Sequence, residues 1–463
     1  MSYLSTVESR FTGLTALLRE RYLSSVLHTV HMHGTETMRR LALSANRTDQ
    51  RDNYIQTVTA NADNARASSD LLADFGKPNK HKARKLNYRY DPDNPSANDV
   101  RGIDAVARLS LAEIKSKGGS AEGQVDLAEM VTKAFFHGID STGTFFMHSD
   151  KTASKGTVSG TPLQATTDFA NGTALSGGET SCSFVVADFA IGNFRNGDVI
   201  DIYNGTTLVA DAYMVRHVDY DQYVLTIEKT ADSTVANVDS IANTHTIYRS
   251  GEKDQGFLTS FGEFFKETIS SGDSWVGGED RSQLENFYLQ PMKLRRGATP
   301  EIPDESHFDQ LGRAMGYAHP GTDAKPFTLF AGSALVRVFR NVVGDGVVVH
   351  APTTNNGEHT VGNTSLRYID PNLGTIEMVS DPNARNDRMI LVDTADWELM
   401  RAGMDDVEVL TGGGAYGYFE RMDGTNSARG GSKYFRMEGS VWMTPVIKRM
   451  DRCACIYNLS DQY

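Results

Sequence analysis

The first part of the chain has apolar side chains at helical spacing. Between residues 5 and 45 they recur every three or four positions, and Phe11, Leu14 and Leu18 lie on one stripe. Residues 46–76 are polar and rich in Ala, Asn and Asp. The pattern predicts a helix over the first segment and a weaker helix or an extended arm over the second.

The segment 77–102 breaks this pattern. Its sequence, "KPNKHKARKLNYRYDPDNPSANDVRG", has three prolines and almost no aliphatic side chains, which is typical of an exposed loop or a long excursion. Helical spacing returns over 103–117 and 124–138, and Gly138 suits a helix end. Residues 141–167 are predicted to be rich in loops.

Residues 181–250 form a compact run of predicted β-strands. "SCSFVVADF" is strand-like, and Asn204-Gly205 within "VIDIYNGTTLVA" is a strong hairpin signal, because a type I′ turn needs two positive φ angles. "AYMVRHVDYDQYVLTIE" predicts a second hairpin, and "THTIYRS" predicts a closing strand. Five or six short strands in this space predict a small barrel or sandwich.

The remainder of the chain mixes helices and strands. "FLTSFGEFFKETIS" and "SHFDQLGRAMGYA" have helical spacing, and "FTLFAGSALVRVFRNVVG" predicts a strand that leads into a helix. Strands separated by glycine-rich turns dominate from 346 to 463. The predicted strands are "GVVVHA", "TIEMVS", "RMILVDT", "DVEVLT", "AYGYFERM", "KYFRMEGSVWMTPVIKRM" and "CACIYNL".

Length, charge and cysteine usage narrow the class of protein. A chain of 463 residues is expected to form two to four domains. No apolar run approaches the roughly 18 residues of a membrane span, and the start lacks the pattern of a signal peptide. Three cysteines are too few for a disulfide framework, which indicates a reducing, cytoplasmic site of synthesis. The net charge of -13 disfavours tight binding of nucleic acid phosphates.

No motif points to catalysis, a cofactor or a metal. "GGGAYG" matches G-x-G-x-x-G, but a strand and a turn follow it rather than a helix, so a glycine-rich loop is favoured over a dinucleotide site. His28, His31 and His33 have no neighbouring carboxylate or cysteine that completes a metal set. Cys453 and Cys455 are interpreted as small apolar side chains of a strand. We predict no catalytic, cofactor or metal site.

The order of these parts resembles the major capsid proteins of tailed bacteriophages. These proteins have the Hong Kong-97-like fold, which encapsulin shells share. The resemblance is one of pattern over most of the chain. Its segments are "EGQVDLAEMVTKAFFHGIDSTG" (122–143), similar to a spine helix and its exit, "FRNGDVIDIYNGTTLVADAYMVRHVDYDQYVLTIEK" (194–229), "RMILVDTADWELM" (388–400), similar to a strand-to-helix step of the axial region, and "FRMEGSVWMTPVIKRMDRCACIYNL" (435–459), similar to the C-terminal strands.

The resemblance implies an α+β fold of Hong Kong-97-like type with an inserted small β-barrel or sandwich domain. An N-terminal arm, an extended loop, a spine helix, and peripheral and axial domains make up such a chain, and the last strand returns to the peripheral domain. The implied boundaries are 1–76 for a helical N-terminal arm, 77–102 for the extended loop, 103–176 for the spine helix and the start of the peripheral domain, 177–252 for the inserted β domain, and 253–463 for the peripheral and axial domains with the C-terminal strands.

The function that the resemblance implies is that of a major capsid (coat) protein, not an enzyme. Such a protein self-assembles, as hexamers and pentamers, into an icosahedral virion shell that encloses double-stranded DNA. Portal, scaffolding and decoration proteins are further expected partners. Packaged DNA would be touched only by weak non-specific contacts, and no membrane contact is expected. The implied location is the virion capsid, after assembly in the host cytoplasm.

Opposite charges suggest where subunits meet. The basic stretch 77–90 is predicted to face the acidic β module of the same or an adjacent chain. Nucleic acid contact with stacking tyrosines and a plain solvated loop are the other interpretations of this stretch. The candidate inter-subunit contacts are Lys77, Lys80, Lys82, Arg84, Lys85 and Arg89 on the basic side, and Asp198, Asp201, Asp219 and Asp221, with Asp211 beside them, on the acidic side.

Three other functions fit the same sequence. A tail or baseplate component with a glycan-binding β module would use an aromatic surface, for which Tyr203, Tyr213, Tyr220 and Tyr223 are the candidates. An encapsulin-type compartment shares the implied fold. An enzyme with an unrecognised carboxylate pair would need a deep pocket with convergent acids.

Overall fold

A computed structural model of the chain describes the elements that pack together. The described residues are 36–48, 54–58, 84–88, 100–110, 135, 138–165, 172–235, 237–269, 275–276, 279–282, 289–318, 327–343, 348–349, 366–370, 373–402, 408–409, 420–422, 434–448 and 452–461.

Strands outnumber helices in this part of the chain. The helices are α1 Glu36–Arg40, α2 138–148, α3 Phe261–Phe264, α4 Glu305–Ala318 and α5 Ser333–Val343. The strands are β1 Ala42–Thr48, β2 Tyr54–Val58, β3 Arg84–Tyr88, β4 Arg101–Ser110, β5 Ser154–Gln164, β6 Ser181–Val186, β7 Val199–Asn204, β8 Thr207–Asp219, β9 Val224–Lys229, β10 Thr246–Arg249, β11 Trp275–Val276, β12 Glu279–Asp280, β13 Met292–Leu294, β14 Phe327–Ala331, β15 Val348–Val349, β16 Leu366–Asp370, β17 Gly374–Ser380, β18 Arg388–Val392, β19 Trp397–Ala402, β20 Glu408–Val409, β21 Glu420–Met422, β22 Tyr434–Ile447 and β23 Cys453–Tyr457.

The chain divides into two compact units, and each is built from separate stretches of sequence. The first unit comprises Met1–Tyr54, Tyr88–Thr144 and Leu399–Thr444, and the second comprises Ile55–Asn87, Phe145–Glu398 and Pro445–Tyr463. The chain therefore enters the second unit three times, at residues 55, 145 and 445. The final passage between units falls within the long strand β22, at Pro445.

The first unit is organised around β22. This strand pairs antiparallel with β4 over ten residues, from Tyr434 opposite Ser110 to Met443 opposite Arg101. It also pairs with β19, β20 and β21, and β1 lies beside β19. Because successive side chains of a strand point to opposite faces, Val441 and Met443 share a buried face.

The barrel occupies the first part of the second unit. Its strands close in the order β10-β5-β6-β9-β8-β7, and every neighbouring pair is antiparallel. A closed barrel has no unpaired edge, so its backbone groups are satisfied internally. Its interior is filled mainly by aliphatic side chains, together with the fully buried rings of Phe184, Phe194 and Tyr213.

A seven-stranded mixed sheet forms the second part of the same unit. Its order is β13-β23-β18-β14-β17-β16-β15, with parallel pairs at β13–β23 and β14–β17. All five residues of β23 are buried, as expected of a strand covered on both faces. Helix α5 packs its apolar stripe on the sheet, and Phe339 meets Phe308 of α4 with ring centroids 4.8 Å apart.

An aromatic cluster adjoins this sheet. Fully buried Phe261, Phe264 and Phe265 surround Trp397, and the nearest ring centroids, those of Phe261 and Trp397, are 4.8 Å apart. The hydroxyl of Ser260 caps the single turn of α3 by accepting from the backbone N–H of Glu263. The turn approaches the preceding chain closely, because a Cβ at position 262 would overlap the carbonyl of Ser149.

Several predicted helices are strands in the structure. β1 begins within the helix predicted over 5–45, whereas β2 lies in 46–76, for which a weaker helix or an extended arm is predicted; only α1 is helical in the described part of 1–76. β4 replaces the helix predicted over 103–117. Of the helix predicted over 124–138, only residues 135 and 138 are described, and both are helical; helix α2 runs from 138 to 148, into the segment predicted to be loops, and β5 follows it. Apolar runs of this length do not separate a strand from a helix by periodicity alone.

Other differences concern boundaries. The barrel begins with the eleven-residue strand β5, before residue 177. The sequence does not predict this strand, because the composition of 141–167 is typical of loops. "FLTSFGEFFKETIS" contains one helical turn, and the step predicted at 388–400 leads to the strand β19 rather than to a helix. β2 pairs with β3, so the paired excursion starts before 77. The last strand lies in the second unit, with residues 145–398, and not in the unit that contains 88–144.

The remaining strand predictions between 181 and 463 are confirmed where the structure describes them, as are the helices α4 and α5. The turn between β7 and β8 differs in detail. Its two loop residues are Gly205 and Thr206, between paired Asn204 and Thr207, and only Gly205 has a positive φ, at 60°. This geometry matches a type II′ turn, in which glycine takes the first central position, rather than the predicted type I′.

Candidate assembly site

The basic side of the predicted contact lies mostly outside the described residues. Lys77, Lys80, Lys82 and Arg89 fall there, as do His28, His31, His33 and the "GGGAYG" loop. Arg84 and Lys85 lie on strand β3. The acidic side is described in full, because Asp198, Asp201, Asp211, Asp219 and Asp221 all belong to the barrel.

Asp198 is engaged within the barrel. Its Oδ2 lies 2.6 Å from Nζ of Lys155 on β5, and it also accepts the backbone N–H of Arg195 at 3.1 Å. Lys155 is only 7% exposed. Burial lowers the pKa of Lys155 in spite of the opposing charge of Asp198.

Asp201 is buried and ties two turns of the barrel together. Its Oδ1 accepts the N–H of Ala212 at 2.8 Å, and its Oδ2 accepts the N–H of Gly251 at 2.9 Å. Ala212 sits at a bend of β8 with a φ of 50°. The carboxylate therefore satisfies backbone donors that the irregular ladder leaves unpaired.

Asp211 and Asp219 have the same kind of role. Asp219 Oδ1 accepts the N–H groups of Asp221 and Gln222 in the turn between β8 and β9. Asp211 accepts from the N–H and hydroxyl of Thr234 and from the N–H of Val235. Burial opposes ionisation of Asp211, but these hydrogen bonds outweigh it and lower its pKa to about 2.

These contacts change the interpretation of the acidic face. Four of the five aspartates are internal partners of the barrel, and Asp221 is the one whose side chain is exposed beside the turn. The sequence predicts all five as charged groups of an acidic surface. It does not predict that four of them accept backbone N–H groups within the barrel. The signal that points to it is local, since Asp219 precedes its two backbone donors by two and three residues.

A cleft of about 830 Å³ opens beside Asp221. The barrel lines it with Arg195, Tyr220 and Tyr223, and α5 lines it with Arg337 and Asn341. Both signs of charge and two aromatic side chains face this space. Such a lining suits a polar segment of chain better than an apolar ligand.

A second pocket of about 360 Å³ lies where the barrel meets the mixed sheet. Lys155, Lys266, Arg385 and Arg388 line it together with Glu267 and other side chains. The arginines share Asp387, with Arg385 Nη2 to Asp387 Oδ2 at 2.5 Å and Arg388 Nε to Asp387 Oδ1 at 3.1 Å. Burial opposes ionisation of Asp387, but the two guanidinium groups hold its pKa well below the usual range.

The tyrosines proposed for glycan binding do not form one surface. Tyr213 is fully buried in the barrel core, and Tyr203 packs on Tyr248 with ring centroids 5.5 Å apart. Tyr220 is 53% exposed, and its hydroxyl donates to the carbonyl of Phe194. Of the four, Tyr220 and Tyr223 line the larger cleft.

The three cysteines are buried free thiols. Burial raises the pKa of Cys182 and of Cys455 to about 12 in each case, so neither is an ionised thiolate near neutral pH. Within the described residues, no cluster of His, Cys, Asp and Glu side chains is arranged to hold a metal ion. In the same part of the chain, no helix is both long and apolar enough to span a membrane.

Comparison with known proteins finds structural likeness without sequence likeness. No protein-family model and no curated protein matches the chain. The chain is similar to the capsid asymmetric unit of cyanophage A-1(L), with a TM-score of 0.44 and 10% identity over 93% of this chain and 92% of that one. It is also similar to the satellite phage P4 procapsid with its size determination protein, with a TM-score of 0.39 and 8% identity over 99% and 98%. A third similar structure is the capsid of the native GTA particle, with a TM-score of 0.36 and 9% identity over 91% and 90%. All three are capsid or procapsid structures.

Proposed function

We propose that this chain is the major capsid (coat) protein of a tailed bacteriophage and that it self-assembles into an icosahedral shell around double-stranded DNA. The observation that carries the proposal is the path of the chain through two discontinuous units. A paired excursion, β2 with β3, interrupts the first unit's sequence, and the final strand inserts between β13 and β18 of the second unit. The paired excursion, α2 and the mixed sheet follow one another in the order that the sequence resemblance implies, whereas the last strand joins the mixed sheet rather than the first unit.

The finer assignment follows from the same path. The first unit corresponds to the peripheral domain, and α2 to the end of the spine helix. The β2–β3 pair corresponds to the extended loop, which then begins near Tyr54 rather than at 77. The mixed sheet corresponds to the axial domain, and the barrel β5–β10 is an insertion between the spine helix and that sheet.

The physical demand on such a protein is association rather than catalysis. A closed shell repeats heterologous contacts that close under symmetry. Each contact is modest, because many contacts per subunit act together. The proposed assembly units are hexamers and pentamers of this chain, with portal, scaffolding and decoration proteins as further partners. Assembly would take place in the host cytoplasm, and the acidic chain would touch packaged DNA only weakly.

Among the five candidate aspartates, the proposed charge contact between subunits narrows to Asp221. Asp198, Asp201, Asp211 and Asp219 already have internal partners, so the basic stretch 77–90 would meet Asp221 and the cleft beside it. Charge reversal at Lys82, Arg84 and Lys85 is expected to weaken assembly, more strongly at low salt, since exposed charges are screened over about 10 Å at 0.1 M salt.

The control for that variant is Arg313→Glu, which reverses an exposed cation on α4. Asp221→Lys in the triple variant is expected to restore assembly in part. Assembly that is unaffected by the triple change at every salt concentration would exclude the contact.

The function itself is tested by electron microscopy of the purified full-length chain, with light scattering in parallel and with a scaffold-containing lysate as a second condition. Closed or partial shells, or rings of five or six subunits, are the expected result. A species that stays monomeric in both conditions would contradict the proposal.

A further inference from the structure

Three ionisable side chains from separate parts of the sequence meet at one end of the barrel. Lys155 is on β5, Asp198 precedes β7, and Glu252 follows β10. Nζ of Lys155 lies 2.6 Å from Oδ2 of Asp198. Glu252 follows the end of β10 that lies next to both of them, because Tyr248 pairs with Ser154, the neighbour of Lys155, and the N–H of Ser250 donates to the carbonyl of Val199, the neighbour of Asp198.

The lysine is largely buried, and two aromatic rings lie near its amine. Its Nζ lies 5.3 Å from the ring centroid of Phe194 and 5.8 Å from that of Phe145. Phe194 is fully buried, and the lysine is only 7% exposed. Burial lowers the pKa of Lys155, which favours the neutral amine, the form in which nitrogen has a lone pair for nucleophilic attack.

Glu252 has an unusual carboxyl group. Its Oε1 lies 3.0 Å from a guanidinium nitrogen of Arg249. Its Oε2 is buried and has no hydrogen-bond partner among the described residues. Burial raises the pKa of Glu252 in spite of the Arg249 charge, which favours a protonated carboxyl beside the lysine and the aspartate. An orphaned buried oxygen of this kind is often functional.

We propose that Lys155 and Asp198 condense into an intramolecular isopeptide bond, and that Glu252 carries the proton that the reaction must move. The neutral Nζ attacks Cγ of Asp198, and a C–N bond forms. One proton leaves the nitrogen and protonated Glu252 supplies a second, so that the departing carboxylate oxygen receives two protons as its C–O bond breaks and Glu252 ends as a carboxylate. One water molecule leaves, and nothing is oxidised or reduced, so no co-reactant is needed.

The surroundings fit each part of this step. The backbone N–H of Arg195 donates to Oδ2 of Asp198 at 3.1 Å, where negative charge develops on the oxygen that is retained. The pocket of about 360 Å³ that Lys155 lines gives the released water a way out. Glu252 is not one of the two residues that the bond joins. Its substitution is therefore expected to lower the fraction of chains in which the bond has formed.

The bond would join strands that are not neighbours. β10 lies between β5 and β7 in the barrel order, so a link from Lys155 to Asp198 crosses the end of β10. The two residues are 43 positions apart, and the ring they close includes β6 and the turn Asp188–Asn193. A covalent staple of this kind fixes the closure of the barrel, and it does so whether or not the chain assembles into a shell.

The direct test is mass spectrometry of the denatured wild-type chain. The intact mass is expected to fall below the sequence mass by one water molecule. A protease digest is expected to contain one branched peptide in which the segment with Lys155 is joined to the segment with Asp198. The branched peptide distinguishes the bond from water loss elsewhere. A full intact mass and two separate unmodified peptides would overturn the proposal and leave an ion pair only. This test needs no variant, so a folding defect cannot obscure it.

Variants then assign the roles. Lys155→Arg and Asp198→Ala are expected to have the full mass. Glu252→Gln keeps the shape of the side chain, and it is expected to show at least a tenfold lower fraction of bonded chain, with rescue by Glu252→Asp. Circular dichroism of the same samples reports whether the barrel is folded. A folded Glu252→Gln chain with the bond formed as in wild type would remove Glu252 from the mechanism.

Discussion

The barrel and the mixed sheet of the second unit engage their carboxylates mainly with different partners. In the barrel, Asp201, Asp211 and Asp219 accept backbone N–H groups of turns close by. Beside the sheet, Asp387 is held by two arginines, and Asp393 accepts a backbone N–H at 2.9 Å and lies 2.7 Å from Arg452 Nη2. Apart from the Lys155–Asp198 pair, the discussed aspartates of the barrel hold backbone donors, whereas Asp387 and Asp393 beside the sheet both contact arginines.

The two regions also differ in how far apart in the sequence their paired strands lie. Three of the barrel's pairs join strands that follow each other directly in sequence, β5–β6, β7–β8 and β8–β9. The sheet has two such pairs, β15–β16 and β16–β17, but its most distant pair is far longer in range than any in the barrel, since Met292–Leu294 pairs with the last strand. Local pairing costs less loop-closure entropy, so the barrel is expected to be the more independent of the two regions.

The largest expected effect is loss of the aromatic cluster. Trp397→Ala removes a fully buried ring that packs on Phe261, Phe264 and Phe265 and whose Nε1 lies 3.2 Å from Cys453 Sγ. We expect a loss of about 3 to 5 kcal/mol in the free energy of unfolding, since the cavity left by a buried aromatic is only partly refilled. Chemical denaturation followed by near-ultraviolet circular dichroism measures it.

Hydrogen exchange locates the effect of that variant. Amides of β14, β18 and β23 are expected to lose protection, while those of β6 and β9 keep it. The control is Leu208→Ala, which truncates a side chain that is 38% exposed on the barrel surface. Equal loss of protection in both regions would show that barrel and sheet unfold together, and would contradict the expectation that the barrel is the more independent region.

The second effect depends on pH. Asp387→Asn removes the charge that two arginines share, and hydrogen bonds to charged groups contribute about 2 kcal/mol. Because the folded pKa of Asp387 lies below its unfolded value, this stabilisation is fully present above the unfolded pKa, near 4. It is lost as pH falls from there through the folded value.

Urea denaturation at pH 7, 5 and 3 measures this dependence. The difference between wild type and Asp387→Asn is expected to be constant at the two higher values and to shrink at the lowest. Asp221→Asn is the control, because this side chain is exposed. A difference that grows toward acid pH would contradict the assigned direction of the shift.

The same contrast explains how far the sequence could be interpreted. Strands β6 to β10 were predicted because tight turns and short alternating segments are local signals. β4 was predicted as a helix, since its side chains suit either structure and its ten-residue pairing with β22 comes from the far end of the chain. β5 was hidden by its polar composition, although β6 and β10 hold it on both sides.

The candidate site shows the same difference between local sequence signals and contacts of residues that are distant in the sequence. The aspartates of the barrel were recognised as a group from the sequence, but their partners were not. Lys155, 43 residues from Asp198, was not singled out at all, because no local pattern joins a lysine in a polar segment to an acid beyond the next strand. Their meeting is a property of barrel closure, which places β5 and β7 on either side of β10.

The third effect is on a barrel turn. Asp211→Ala leaves the N–H groups of Thr234 and Val235 without their carboxylate acceptor, and we expect a loss of about 1 to 2 kcal/mol. The pKa of Asp211 is lowered to about 2, so its contribution is present above about pH 4 and declines toward pH 2. Thermal unfolding at pH 7 and pH 3 measures it, with exposed Asp232→Ala as the control. An equal loss in the control would assign the effect to net charge rather than to the turn.

The last pair of variants, one of which is expected to bring no gain in stability, distinguishes the two descriptions of the β7–β8 turn. Gly205 has a φ of 60° and open space around the position of a Cβ, so Gly205→Ala is opposed by backbone strain alone, at about 1 to 2 kcal/mol. Thr206 does not have a positive φ in the structure, so Thr206→Gly is expected to bring no gain. In a type I′ turn both central positions would favour glycine. Denaturant midpoints of the two variants, with Gly192→Ala as an exposed glycine outside the positive-φ region, therefore test the turn type. Clear stabilisation by Thr206→Gly would contradict the type II′ geometry, in which Gly205 is the one central residue of the turn with a positive φ.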